Sequence, residues 1–244
     1  LSIIDKLDTL VGFFLINEKP TSSKDPFALR RSSIGLLRTV IENNLRVGLR
    51  DLIDYLIRMY IEQGVKELNQ NTHSEILKFF RDRMKNILKE KRIRPDIIDA
   101  SVSSHTNDDF LELYKKTIVM NKFISKDLGK NAVSTYKRAS NILDREKGIS
   151  KNGPDAVLFR QEEEKELFNK INDIRKAFTL KERKENYENH LKLLSETKLS
   201  TDKFFDNVKV NDENSDIKNN RLELLQRLCS TFNTFIDFSK LEGN

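Results

Sequence analysis

Cations and amides at helical spacing are the residues of this chain best suited to chemistry. Ser134, Arg138, Asn141 and Arg145 recur at four-, three- and four-residue steps, with Lys137 at their border. On a helix that places them on one side, opposite Ala132, Tyr136, Ala139 and Leu143. Guanidinium and ammonium groups hold phosphate, and a carboxamide matches the hydrogen-bonding edge of an unstacked base. Arg31 and Arg38 stand one heptad apart around Gly35, with Arg30 alongside. The missing side chain at Gly35 leaves backbone open between two guanidiniums, suited to close approach by a phosphate backbone or by another helix. A third group runs from Lys78 to Arg94, where eight cations, Arg81 and Lys85 among them, accompany only Asp82 and Glu90. Such a run reads either as a solvated helix face or as a stripe that tracks phosphates.

One cation breaks the pattern. Arg221 falls inside an apolar stripe, between Ile217 and Leu225. A buried guanidinium left unpaired costs roughly 3–5 kcal/mol, so a partner is required. Asp206 and Asp212, in the preceding segment, are the expected ones, forming a clamp that pins residues 204–212 to the last helix. Phe204 and Phe205 read as core residues ahead of that loop.

No reaction chemistry is legible. The chain has no nucleophile elbow, P-loop, HExxH pair or phosphate-binding glycine loop, and no catalytic residue is expected. Its histidines, His73, His105 and His190, are scattered and read as surface residues. No metal site is expected from them. A single cysteine, Cys229, excludes a disulfide framework or a cysteine zinc site, and reads as a small buried hydrophobe.

The elements that must position these groups are helices. Of 244 residues, 34% are charged and 37% hydrophobic, with only four prolines and eight glycines. Apolar residues at three- and four-residue steps predict helices over 2–16, 25–44, 49–68, 74–90, 95–103, 110–125, 129–144, 162–177, 181–196 and 216–238. The helix over 25–44 is expected to start with Asp25 as cap and Pro26 in its first turn. The fold class is all-α, in two helical domains, 1–100 and 101–244. The net charge is +6, from 44 basic and 38 acidic side chains, so clustering matters more than the total. No apolar run approaches the ~20 residues of a membrane span, and no signal peptide is present, so no membrane partner and a cytoplasmic location are expected. The first residue, Leu1, is not Met, so the sequence is expected to be part of a longer chain.

Several stretches carry a resemblance. They are Asp5 to Gly12, the Lys19-Pro20-Thr21 turn, Lys24 to Arg31, Lys137 to Leu143, Phe204 to Val208, and Asn220 to Leu225. In this order they resemble the C-terminal half of the bacterial glycyl-tRNA synthetase beta subunit. Ser22-Ser23, in place of a glycine-containing turn, and Lys209, in a usually apolar segment, depart from that pattern.

The resemblance implies the end of an HD-like domain, with Asp5 or Asp8 as the last aspartate of its set, then a helical linker, then a DALR-type anticodon-binding bundle. It implies a subunit that binds tRNA-Gly, through Arg30, Arg31, Arg38, Arg81, Lys85, Lys137, Arg138, Asn141 and Arg145, and recognises its anticodon. A separate alpha subunit would carry ATP, glycine and Mg²⁺, in an alpha2beta2 heterotetramer, so this chain would hold no cofactor and serve the ligase as its non-catalytic part. Two other readings stay open: a general helical RNA-binding module or arginyl-type synthetase tail, and a helical protein-interaction scaffold.

Overall fold

A computed structural model of the chain describes residues 2–21, 23–65, 69–105, 107–146, 148–149, 152–179 and 186–242. Among them there is no strand, and the all-α expectation holds. The chain divides into two compact units, Leu1–Thr117 and Ile118–Asn244. The division falls inside a helix, where the sequence reading sets a boundary near residue 101.

The first unit contains α1 (Ser2–Leu15), α2 (Leu29–Glu42), α3 (Leu49–Glu62), α4 (Thr72–Glu90), α5 (Pro95–Ser104) and the start of α6 (Phe110–Ile124). Helix α1 packs on α2, α3 and α4, and α4 also packs on α2, α3 and α5. Their apolar stripes meet in a core that fully buries Leu7, Leu10, Leu36, Ile53, Phe80, Met84 and Ile97. The Gly35 gap is filled from within, because a Cβ there would lie 3.3 Å from Cε of Lys6 on α1. Helix α1 thus lies beside Gly35 through the stem of Lys6.

Helix α2 begins later than its sequence suggests. Pro26 and Phe27 form a turn, and Ala28 takes a left-handed φ of 54° before the first helical residue, Leu29. Asp25 still satisfies the free amides, accepting from the N–H of Leu29 at 2.8 Å and of Arg30 at 3.1 Å. It reaches in from one turn further out, while Phe27 stacks on Phe13 with ring centres 3.8 Å apart. The helix expected over 49–68 ends at Glu62, and its last three positions lie outside the described residues.

The second unit contains the end of α6, then α7 (Asp127–Leu143), a 3-10 turn (Ala156–Leu158), α8 (Glu162–Thr179), α9 (Tyr187–Ser195), α10 (Thr197–Asn207), α11 (Ser215–Asn233) and a closing 3-10 turn (Phe238–Lys240). Helices α7, α11, α8 and α10 pack in a closed cycle, each on the next, with α9 against α7, α8 and α10. That is a four-helix bundle with a fifth helix laid on it. Leu167, Ile171, Leu191, Leu194, Leu225, Leu228 and Phe232 fill it. Gly129 makes the entry to α7 possible: a Cβ there would lie 2.6 Å from the Cα of Ile124, so only glycine lets α7 turn back against the end of α6.

Helix α10 was not expected. The sequence reading assigns no helix to residues 197–207, because the stripe they bury is Thr197, Thr201 and Phe204, at steps of four and three. Two of those three are hydroxyl residues, and Thr197 satisfies its own by donating to the Leu194 carbonyl at 2.6 Å. Helix α11 ends five residues before the expected 238, at Asn233, and the expected start of α9 over 181–185 lies outside the described residues.

Candidate nucleic-acid interface

The outer face of α7 borders an open groove of about 600 Å³, with Lys130, Ser134, Lys137, Arg138, Asn141 and Glu242 along its rim. Ala132, Tyr136 and Ala139 are buried on the other side, as the wheel requires. Asn141 is exposed and Lys137 half-exposed beside it, while Arg145, one turn on, is exposed but outside the groove. The face offers two ammonium groups, a guanidinium, a hydroxyl and two carboxamides, Asn131 included.

Arg138 is exposed, as the wheel requires, and it also bridges α7 to α10. Its guanidinium carbon lies 4.4 Å from the ring centre of Phe205. Its nitrogens lie 3.4 Å from Asp202 Oδ1 and 3.8 Å from Asp206 Oδ1, and Lys198 shares Asp202 at 2.7 Å. Phe204 is buried as expected, but Phe205 is half-exposed and supports the guanidinium. Because α10 was invisible in the sequence, so was this pairing. The one legible hint is the Asp202–Asp206 step of four residues, which puts both carboxylates on one helical face.

Arg221 is 3% exposed and makes three hydrogen bonds. Its Nη1 donates to Asp212 Oδ2 and to the Lys209 carbonyl, each at 2.8 Å, and its Nε donates to Glu164 Oε1 at 2.8 Å. Asp212 is therefore a partner, while Asp206 belongs to Arg138. Glu164, at the third position of α8 and fully buried, is the partner that sequence reasoning missed. Its second oxygen accepts from the N–H groups of Arg160 and Gln161, both at 2.8 Å, closing the N-terminus of α8. The N–H of Asn214 holds Asp212 below the usual carboxylate range, burial opposes this, and Arg221 adds to the lowering.

The cations of the first unit are partly committed. Arg30 donates to the Thr21 carbonyl, Arg38 pairs with Glu90 at 2.7 Å, and Lys85 pairs with Asp99 at 2.9 Å. Arg81 is half-buried with its Nε unbonded. Arg31 is exposed and makes no ion pair among the described residues.

The histidines are not the surface residues expected. His190 is 7% exposed, with its ring 4.4 Å from that of Phe178. His105 is pushed down to about 4, first by burial and then by Arg81 and Lys116, against the pull of Glu112 and Asp109. Burial drives the Cys229 thiol up to about 12. Among the described residues no group of His, Cys, Asp or Glu is arranged to hold a metal ion. No helix there is long and apolar enough to cross a membrane.

Comparison with known proteins gives this geometry a setting. The family model described as glycyl-tRNA synthetase beta subunit matches residues 1–103, and the DALR anticodon binding domain matches residues 132–240, which take in most of α7 and all of α8, α9, α10 and α11. A glycine–tRNA ligase beta subunit from Rhodospirillum centenum is 36% identical, covering 100% of this chain and 34% of the relative. Those from Cereibacter sphaeroides and Ruegeria sp. are 33% and 32% identical, again over 100% of this chain and 35% and 34% of their own lengths. The chain thus spans about a third of the length of the curated relatives it matches. Matched from end to end by such relatives, it belongs to the glycyl-tRNA synthetase beta subunit family and carries that family's DALR anticodon-binding domain.

Proposed function

We propose that this chain holds tRNA-Gly for a glycine–tRNA ligase and reads its anticodon, while the ligation itself proceeds on a separate alpha subunit that binds ATP, glycine and Mg²⁺. One observation carries the reading: the outer face of α7, inside the segment matched by the DALR model, sets Lys137, Arg138 and Asn141 around an open groove. An anticodon loop presents unstacked bases with free edges. The Asn141 carboxamide has both donor and acceptor for such an edge, Lys137 is placed for a flanking phosphate, and the guanidinium of Arg138 presents a flat cationic face for stacking. Arg31 and the exposed cations of α4 supply a second contact for the body of the tRNA. The chain contributes capture and orientation, so its residues move no proton and form no bond.

The match of residues 1–103 to the glycyl beta-subunit model favours this over a general helical RNA-binding module. The test is titration of labelled tRNA-Gly and of an anticodon-swapped version. Asn141→Ala is expected to lose most of the preference between them, since a bidentate carboxamide contact to a base edge contributes roughly 1–3 kcal/mol of discrimination. Lys137→Ala is expected to weaken both equally and to lower the salt dependence by about 0.7–0.9 in log–log slope. Equal binding of an acidic polymer would favour the protein-interaction reading instead, and an unchanged preference in Asn141→Ala would take the anticodon readout away from Asn141.

A further inference from the structure

A different seam of the bundle carries two arginines with no carboxylate between them. Along α8, Phe168, Asn172 and Arg175 recur at four- and three-residue steps and so share a face, opposed on α11 by Arg227 and Thr231, four apart. The guanidinium of Arg227 lies 5.5 Å from the ring centre of Phe168, and its Nη2 donates to Asn172 Oδ1 at 2.8 Å. Arg175 Nη1 donates to Thr231 Oγ1 at 3.4 Å. Neither arginine makes an ion pair among the described residues, and Arg227 Nε is buried and unbonded. Gly153, at φ 86°, passes close by: a Cβ there would lie 3.8 Å from Arg227 Nη1. That loop is tied down where it leaves, the N–H of Asp155 donating to Asn220 Oδ1 at 2.7 Å while Asn220 Nδ2 donates to the Asp155 carbonyl at 3.0 Å.

Two like charges close together repel each other, and an anion bound between them relieves that repulsion. Burial, and then the charge of Arg175, both work against the protonated form of Arg227, and no carboxylate offsets them. Arg175 is exposed and Arg227 half-buried, so solvent reaches the pair. Guanidinium forks match the oxygens of a phosphate.

We propose that the Arg175–Arg227 seam between α8 and α11 is an oxyanion site for a phosphate group, separate from the α7 groove. It does not depend on the anticodon reading. The phosphate can be a phosphodiester of bound RNA or a free phosphate, and two measurements on the full chain separate these sources. The first is calorimetric titration with inorganic phosphate; the second is binding of an RNA stem–loop over a salt series. Both compare the native chain with Arg175→Gln, whose exposed position leaves packing intact, and with Lys176→Gln, a neighbouring exposed cation of α8 outside the seam, as the control. With an RNA phosphodiester as occupant, Arg175→Gln lowers the log–log salt slope by about 0.7–0.9 while the control does not. With free phosphate as occupant, Arg175→Gln lowers phosphate affinity about tenfold and leaves the RNA slope alone. Arg175→Lys, which keeps the charge, recovers part of either effect. If Arg175→Gln changes neither the phosphate affinity nor the salt slope, the seam is not an anion site.

Discussion

Arg221→Leu tests the energetic account of the second unit most directly. The substitution keeps an apolar stem in the stripe of α11 and deletes three charge-assisted contacts, each at 2.8 Å. It leaves Glu164, fully buried, with its charge uncompensated. Breaking such a pair from one side costs about 3–5 kcal/mol, a large share of the ~5–15 kcal/mol that separates a folded domain from its unfolded chain. For a protein of this size that corresponds to a fall in Tm of roughly 6–20 °C. Urea unfolding followed by circular dichroism, on the native chain and on Arg221→Leu, measures the loss. The partner change Glu164→Gln keeps an acceptor for the Arg160 and Gln161 amides but removes the charge. Combined with Arg221→Leu, it should lose less than the two single losses added, by about 1 kcal/mol or more. A loss below about 1 kcal/mol in Arg221→Leu, comparable to that of a surface substitution, would refute the reasoning. So would strict additivity in the double variant.

Three other outcomes follow from the same structure. His105 has a folded value of about 4 against an ordinary 6.5, so its neutral form favours folding above pH 6.5, and that stability drains away as pH falls toward 4. The loss is up to about 3 kcal/mol at 1.36 kcal/mol per pH unit, and His105→Phe should flatten the stability–pH curve across that window in urea titrations. Cys229, with its thiol raised to about 12, should resist a thiol reagent at pH 8 in the native chain and react at once in urea; fast native labelling would contradict its burial. Gly129→Ala should cost about 1–3 kcal/mol, because the new methyl meets the backbone of Ile124 rather than a yielding side chain, and tRNA affinity measured alongside should fall as α7 shifts.

Helices whose buried stripe is made of leucine, isoleucine and phenylalanine were legible to within about two residues, α4 and α8 among them. Helix α10 was not, because burial there falls on Thr197 and Thr201, and hydroxyl residues give no hydrophobic period to read. That one omission hid the Arg138–Phe205 stack and sent Asp206 to the wrong arginine. The need for a partner at Arg221 was legible, since a charge in an apolar stripe must be answered. Its identity was not: Glu164 stands in a run of three glutamates 57 residues away, and nothing local marks which of them turns inward. The start of α2 shows a similar limit, for the same Asp25 cap suits a helix starting at Pro26 or, through a left-handed Ala28, at Leu29.

Helix α7 bears the groove and is also the element on which α9, α10, α11 and the closing 3-10 turn all rest. Its inner amide hydrogens, around the buried Tyr136 and Ala139, should be among the slowest of the second unit to exchange with solvent. The groove face is therefore a stiff template rather than a surface that moulds itself to its ligand. On the proposed anticodon reading, any ordering needed to fit it falls on the nucleic acid, and the entropy lost on association should be carried by the single-stranded loop.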